Sequence, residues 1–184
     1  TPAGATQYDL VLRNGTVVDG TGKDAYAADL AIVGGRIVAI GELDAAAAGE
    51  VIDVSGKIVA PGFIDVHSHA DRALDDPSTA AIEGFLRQGV TTAVYGVDGF
   101  LDLERMQRYA ELGEQGGMGI NFMAYIGHNA VRREVMGMDN REPDPTELQQ
   151  MQDIVRDAME FGAAGLSTGL MYLPGSYAST EEVV

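Results

Sequence analysis

Cysteine, basic charge and long apolar runs are scarce in this sequence, and each absence excludes a class of protein. The chain has no cysteine, so disulfide frameworks and thiolate-bound zinc sites are excluded. Its 12 Lys and Arg stand against 28 Asp and Glu, a net charge of -16 that repels phosphate backbones, and we expect no nucleic acid as partner. No window reaches the roughly 18 to 20 apolar residues that cross a bilayer, so we expect no membrane span.

The composition, with 46% hydrophobic and 22% charged residues, is that of a soluble globular protein. The chain begins with the small-residue stretch Thr1 to Thr6, TPAGAT, which has neither the basic nor the apolar region of a signal peptide. A start at Thr suits the mature end of an exported protein. A periplasmic or secreted location is therefore favoured over the cytoplasm.

Residues 1–60 consist of short strands separated by glycine turns, which predicts a small antiparallel β-sandwich module. Two dipeptides in it favour the positive φ angles of tight turns, Asn14-Gly15 and Gly34-Gly35. Each lies between apolar or β-branched runs, so each predicts a hairpin. Residues 45–48 indicate a surface loop or a short helix.

Residues 61–184 alternate between strand and helix patterns, which is typical of a parallel sheet with right-handed crossovers. The predicted strands lie at 63–67, 90–95, 120–126 and 164–168, and predicted helices begin at Pro77 and Asp102. The best-defined helix starts at Asp144, with Pro145 in its first position and Glu147 completing a capping box, and Gly162 ends it.

Four parallel strands could form a small open sheet or half of an eight-stranded barrel. A complete (β/α)8 barrel takes about 250 residues, and about half that number follows residue 60. We therefore expect an α/β fold in which residues 61–184 form the first half of a TIM (β/α)8 barrel, about four strand-helix units, with the remainder absent from this chain.

The segment Pro61–Asp71, PGFIDVHSHAD, places His67 and His69 two residues apart after an apolar run. In a strand such residues project from one face, and two imidazole nitrogens on one face suit a divalent ion such as zinc. A pair of surface or core histidines is the competing interpretation. A position at the carboxyl end of the first parallel strand, where barrel active sites lie, favours metal binding.

Several segments resemble the N-acyl-D-amino-acid deacylase (D-aminoacylase) family of the amidohydrolase superfamily. The opening is similar to that of the superfamily in LVLRNGTVVDGTG, DLAIVGGRIVAIG and PGFIDVHSH. The deacylase family itself is indicated by GVTTAVYGVDG, YIGHNAVRREVMG and GAAGLSTGLMYLPGSYASTEE, which follow in the family's order. The resemblance runs from about Tyr8 to the last residue and covers the family's first half.

The resemblance implies a site for one or two zinc ions, in which His67 and His69 are ligands. It places Asp98 where some members of the family carry a zinc-binding cysteine, and a carboxylate is an accepted zinc ligand. The alternative is that Val97-Asp98-Gly99 is a plain turn, since Asp-Gly favours turns. The family's remaining ligands, two histidines, and its general-base aspartate have no counterpart here, and we expect them in the missing half.

His128 follows the third predicted strand, where the resemblance implies a substrate-binding role; a hydrogen-bonded structural role is the alternative. Arg132 and Arg133, one helical turn further on, could pair a substrate carboxylate, although helix-surface charges are the preferred interpretation. Tyr172, in the loop after the fourth strand, is the preferred substrate-pocket residue, against ordinary packing beneath a turn.

The resemblance implies zinc-dependent hydrolysis of the amide bond of a small-molecule N-acyl-D-amino acid, releasing a carboxylate and the D-amino acid. We expect activity only with a C-terminal fragment or second chain that completes the barrel. One alternative is another amidohydrolase, such as a cyclic-amide hydrolase, dipeptidase or deaminase; many of these carry a carboxylated lysine on the fourth strand, and GLSTGL has none. The other is a truncated, non-catalytic metal-binding or interaction module.

Overall fold

A computed structural model describes residues 8–44, 48–76 and 78–184 of the chain. The chain divides into two compact units, Thr1–Pro61 and Gly62–Val184. The predicted loop or helix at 45–48 lies outside the described residues except for Ala48. Among the helices of the described part, none combines the length and the apolar character needed to cross a membrane.

The first unit is a single mixed sheet. Its strands are β1 (Tyr8–Val17), β2 (Tyr26–Val33), β3 (Arg36–Gly41), β4 (Ala48–Asp53) and β5 (Ile58–Val59). The order is β3-β2-β1-β4, and β5 also pairs with β1. The pairs β1–β2 and β2–β3 are antiparallel, but β4 and β5 both run parallel to β1. The prediction of an antiparallel module is therefore wrong for the last two strands.

The two predicted glycine hairpins have different outcomes. Gly34-Gly35 forms the turn between β2 and β3 with φ angles of 56° and 73°, which confirms that hairpin. Asn14-Gly15 does not turn the chain, and β1 continues through it with a register shift between Leu12 and Gly15. The Asn14 N–H, at φ 61°, donates to the Asp29 carboxylate at 2.9 Å. The positive φ therefore forms a bulge, because β2 pairs with β1 on both sides of it.

The second unit contains a four-stranded parallel sheet. Its strands are β6 (Phe63–Asp65), β7 (Val90–Tyr95), β8 (Asn121–Gly127) and β9 (Gly165–Ser167), in the order β6-β7-β8-β9. Its helices are α1 (Glu83–Leu86), α2 (Leu103–Glu114), α3 (His128–Met136), α4 (Pro145–Phe161) and α5 (Thr180–Val183), with short 3-10 helices at Ala70–Asp75, Val97–Gly99 and Gly175–Tyr177. All three strand pairs are parallel, which confirms the predicted sheet.

Local signals define some helices better than others. The capping box of α4 is present, since the Asp144 carboxylate accepts from the Glu147 N–H and the Glu147 carboxylate accepts from the Asp144 N–H. The helix predicted from Pro77 is reduced to the four residues of α1, and Pro77 itself lies outside the described residues. Ile82 directly before α1 has φ 47°, a left-handed conformation that a continuous helix cannot include.

The core of the second unit lies between the sheet and the helices. Its buried members include Ala93 and Tyr95 of β7, Ile126 of β8, Tyr109 of α2 and Ala158 of α4. With the helices packed in this way, the loops that leave the carboxyl ends of the four strands lie at one edge of the sheet. This edge carries the candidate site.

Candidate metal site

Three potential metal ligands meet at the carboxyl ends of the first two parallel strands. His67 and His69 follow β6, and Asp98 follows β7. The Nε2 atom of His67 lies 3.9 Å from Oδ1 of Asp98, and Nε2 of His69 lies 3.3 Å from Oδ2. One ligand atom from each residue lies within 4.8 Å of the other two. The structure thus brings together the three residues that the sequence indicated.

Each histidine lies near a different oxygen of Asp98, at a separation close to that of two ligands on one zinc ion. Two ligand atoms bound to zinc at about 2.0–2.1 Å with a tetrahedral angle lie about 3.3 Å apart. The pair of His69 and Asp98 has this separation, 3.3 Å, and the pair of His67 and Asp98 at 3.9 Å needs only a small side-chain rotation. The imidazole side chains are 60% and 56% exposed, so an ion held here would be accessible to water or substrate.

The histidines lie just outside β6. The strand ends at Asp65, two residues earlier than predicted, so His67 and His69 occupy an irregular segment. Ser68 between them is buried, and its N–H donates to the Val94 carbonyl of β7 at 3.1 Å. Because the middle residue is fixed against the sheet, the two flanking rings project to the open side together.

An ionic cluster anchors the 3-10 helix that follows the histidines. Arg105 of α2 lies 3.0 Å from Asp75 and 3.7 Å from Asp71, and Arg108 lies 2.5 Å from Asp75. Burial opposes ionisation of Asp75, but the charge of Arg105 and hydrogen bonds from Tyr109 and Arg108 outweigh it and hold its pKa below the usual value. Burial raises the pKa of Tyr109 to about 12. The cluster fixes the histidine segment to α2, a connection that sequence reasoning missed.

Tyr172 lies beside the candidate ligands. A cavity of about 480 Å³ has His69, Asp98, Phe100 and Tyr172 among its lining residues. The rings of Phe100 and Tyr172 pack with centroids 5.4 Å apart. The structure thus places the predicted pocket residue in the same cavity as two of the three ligand candidates.

His128 is buried, and its ring contacts the end of the described chain. Its Nε2 atom lies 2.8 Å from Oε1 of Glu182 in α5, and its Nδ1 atom has no hydrogen-bond partner among the described residues. Glu182 was missed by sequence reasoning; the only local signal is its place in the first turn of a helix capped by Ser179.

Arg132 forms the other half of this buried network. It is fully buried, its Nη1 donates to Oε2 of Glu182, and its Nη2 donates to the carbonyls of Asp139 and Arg141 at 3.2 Å and 2.6 Å. The interpretation of Arg132 as a helix-surface charge is wrong, because a partner distant in sequence neutralises it. Arg133 is exposed, with its guanidinium 5.8 Å from the centre of the Phe100 ring.

A parallel sheet with two histidines and a carboxylate converging at its carboxyl edge is the arrangement of metal-dependent (β/α)8-barrel enzymes. A family model described as amidohydrolase family matches residues 50–183. The chain belongs to the amidohydrolase family.

Several relatives that match almost the whole chain are deacylases, which confirms the resemblance. The chain is 37% identical to a D-aminoacylase of Alcaligenes xylosoxydans xylosoxydans, over 96% of this chain and 41% of the relative. It is also 37% identical to the N-acyl-D-glutamate deacylase of Bordetella bronchiseptica, whose crystal structure contains zinc and a phosphonate inhibitor that mimics the tetrahedral intermediate. The two structures match with a TM-score of 0.82 over 96% of this chain and 41% of that chain. A structure from work on the binuclear metal centre of D-aminoacylase matches with a TM-score of 0.84 and 34% identity. This match also covers 96% of this chain and 41% of that chain.

The chain therefore spans about two fifths of the length of these relatives. The likeness covers both units, and the parallel sheet of the second unit agrees with part of an α/β barrel.

Proposed function

We propose that this chain supplies the metal-binding half of a deacylase that hydrolyses N-acyl-D-amino acids. The observation that carries the proposal is the convergence of His67, His69 and Asp98, whose ligand atoms lie within 4.8 Å of one another at the carboxyl edge of the sheet. Its support from relatives is the likeness to a D-aminoacylase and to a zinc-containing N-acyl-D-glutamate deacylase.

The donor set fits zinc. Two neutral imidazoles and one carboxylate form a three-residue set of the kind that catalytic zinc uses, with further positions open. A bound zinc ion supplies Lewis-acid polarisation of the acyl carbonyl and lowers the pKa of water. Asp98 lies where some members of the family carry a zinc-binding cysteine. Its carboxylate, like a thiolate, is an anionic ligand.

The chain's own residues hold and orient the reacting groups. His67, His69 and Asp98 would hold the ion, and Tyr172 with Phe100 would form an aromatic wall of the adjoining cavity for the acyl chain or the amino-acid side chain. Direct substrate binding by His128 stays a prediction. Its Nε2 faces Glu182, so a substrate contact requires the Nδ1 atom of the buried ring.

A further segment, a C-terminal fragment or second chain, completes the barrel in this proposal. Within the described residues, β6 and β9 each pair with a strand on one side only. Phe63, Ile64 and Val66 at the β6 edge are 65%, 61% and 70% exposed, an apolar surface that favours a covering strand or helix. We assign the remaining ligands and the general-base aspartate to that segment, and about four strand-helix units to this one.

The lysine content argues against one alternative. Amidohydrolases with two ions bridged by a carboxylated lysine need that residue at the fourth strand. β9 offers none, and the two lysines of the chain, Lys23 and Lys57, both lie in the first unit. A site bridged by Asp98, or a site with one ion, is what this chain can form.

The test is zinc content together with stereospecific hydrolysis. His67→Ala with His69→Ala should reduce bound zinc, measured by mass spectrometry of the purified protein, by about tenfold or more, because two of three ligands are lost. His128→Ala should keep its zinc, since its ring lies in the Glu182 network. Release of the amino acid should be seen with N-acetyl-D-amino acids and not with their L-enantiomers, once the completing segment is supplied.

Two results would contradict the proposal. Equal zinc in the double variant and in His128→Ala would remove the assigned ligands. If the completed barrel binds its full amount of zinc but hydrolyses no N-acyl-D-amino acid, the chain is part of a metal-binding module and not of a deacylase.

A further inference from the structure

Asn129 lies at the centre of the loops that leave β7, β8 and β9. It is the second residue of α3, directly after β8, and it is fully buried. Its Nδ2 donates to the carbonyl of Asp98 at 3.1 Å and to that of Gly169 at 3.3 Å. Its Oδ1 accepts from the Gly175 N–H at 2.6 Å. One amide group thus connects the turn that carries a candidate metal ligand with both ends of the loop that carries Tyr172.

The turn held by Asn129 has an unfavourable backbone for an aspartate. Asp98 has φ 62° and ψ 12°, in the left-handed region that side chains other than glycine rarely adopt. Its neighbours Gly96 and Gly99 have φ 75° and 85°. Such a conformation persists where surrounding contacts determine it, and the hydrogen bond from Asn129 to the Asp98 carbonyl is one of these contacts.

Ser167 at the end of β9 holds the same turn from the other side. Its hydroxyl donates to the Gly96 carbonyl and accepts from the Gly99 N–H at 3.1 Å. Polar groups from two different strand ends therefore fix the main chain before and after Asp98. The carboxylate direction follows from this main chain, because Asp98 has only two side-chain torsions between its backbone and its oxygens.

Glycines pack around this amide so closely that a side chain could not be added. A Cβ at Gly99 would lie 2.6 Å from Nδ2 of Asn129, and one at Gly175 would lie 2.4 Å from its Oδ1. A Cβ at Gly169 would lie 2.3 Å from the Asp98 carbonyl oxygen. Two loops, the turn after β7 and the loop after β9, approach the amide at main-chain distance, which is the packing expected where one polar side chain determines several backbones.

We infer that Asn129 is a positioning residue for the metal site: its amide holds the Asp98 turn in the conformation that points the carboxylate at His67 and His69, and ties this turn to the Tyr172 loop. The inference rests on the proposed function, since it takes Asp98 to be a metal ligand. Asn129 touches neither the ion nor the substrate. Supporting groups of this kind typically change metal affinity by about 10- to 100-fold when they are removed.

The test is Asn129→Asp, measured by zinc competition against a chromophoric chelator and by the visible spectrum of the cobalt(II) form. The variant keeps the side-chain shape and the acceptor for Gly175 but loses the donor to Asp98 and Gly169. We expect zinc affinity to fall about 10-fold or more and the cobalt bands to shift. The added negative charge alone would attract a cation, so a fall in affinity has the opposite sign to a simple charge effect.

The matched control is Asn121→Asp, the same chemical change on an exposed residue at the other end of β8. It should leave zinc affinity within about twofold and the cobalt spectrum unchanged, since surface substitutions have small effects. If circular dichroism shows that Asn129→Asp is unfolded, Ser167→Ala takes its place, with a smaller fall in affinity and the same kind of spectral shift.

The outcomes separate this inference from the proposed function. In one outcome, the unsubstituted protein and Asn121→Asp bind zinc tightly, and the folded Asn129→Asp or Ser167→Ala variant binds zinc equally tightly with the same cobalt spectrum. This outcome refutes the positioning role and leaves the metal site in place. If neither the unsubstituted protein nor the control binds zinc, the metal site and the positioning role both fail.

Discussion

Replacing Glu182 with glutamine should destabilise the second unit by about 3–5 kcal/mol, because the change leaves the charge of Arg132 buried without its partner. The Arg132 side chain is 0% exposed and that of Glu182 is 1% exposed. The two carbonyls that Arg132 also contacts, those of Asp139 and Arg141, carry no charge to replace the lost carboxylate. The same change removes the charged acceptor of His128, at 2.8 Å.

The assay is urea denaturation followed by far-UV circular dichroism, since the chain has no tryptophan for fluorescence. A loss of 3–5 kcal/mol is a large part of the roughly 5–15 kcal/mol that stabilises a typical domain. The control is Glu181→Gln, which removes the same charge from the exposed neighbouring position of α5 and should change the free energy of unfolding by no more than about 0.5 kcal/mol.

Equal unfolding midpoints for the two glutamine variants would refute the reasoning, since they would show that the buried pair contributes nothing. A second comparison tests the cause. Replacing both partners, Arg132→Met with Glu182→Leu, should cost less than Glu182→Gln alone, because no charge is then left buried. A larger cost for the double replacement would show that packing and the two carbonyl contacts dominate.

Two further predictions concern the capping box and the substrate loop. Hydrogen bonds from Arg141 hold the pKa of Glu147 at about 2, below its ordinary 4.5; the stabilisation is therefore complete above about pH 4.5 and is lost as the pH falls towards about 2. Urea midpoints should thus decline less over this range in Glu147→Gln than in the unsubstituted protein, and parallel declines would contradict this. Tyr172→Ala should raise KM for an N-acyl-D-amino acid about 3- to 10-fold with zinc content unchanged, through loss of an aromatic contact; an unchanged KM would place Tyr172 outside the substrate pocket.

Elements with strong local signals could be predicted from the sequence. The bounds of β7, Val90–Tyr95, agree with the prediction, and α4 begins and ends at the predicted capping residues. The capping contacts that bound α4 lie within a few residues, and the apolar β-branched run marks β7 although its partner strands β6 and β8 are distant in sequence. Asn14-Gly15 shows the limit, because the same positive φ that favours a hairpin also forms a bulge. The pairing of β2 with β1 on both sides of this dipeptide decides between the two.

The sequence indicated which residues could be the metal ligands, but it did not indicate the residues and contacts that hold these ligands in place. His67 and His69 could be named from their spacing at the end of the first parallel strand, whereas Asp98 could be named only from the resemblance to the deacylase family. The environment of Arg132 could not, since its partner Glu182 lies 50 residues further along the chain and no local pattern connects them. The role of Asn129 was also invisible, because it depends on main-chain groups of loops that are far apart in sequence.

If Asp98 is a metal ligand, as we propose, the way it is held affects the number of ions that the site can bind. A thiolate offers one donor atom, whereas the two oxygens of Asp98 each face a different histidine, Oδ1 towards His67 at 3.9 Å and Oδ2 towards His69 at 3.3 Å. A carboxylate in this position can bind one ion through one oxygen or bridge two ions through both, and zinc–oxygen bonds of about 2.0–2.2 Å are shorter than zinc–thiolate bonds of about 2.3 Å. Small rotations of the turn therefore change which oxygen of Asp98 lies close enough to each histidine to bind the same ion. If Asn129 and Ser167 hold that turn as we infer, two residues that are not ligands contribute to the choice between one and two ions, together with the ligands that we assign to the completing segment.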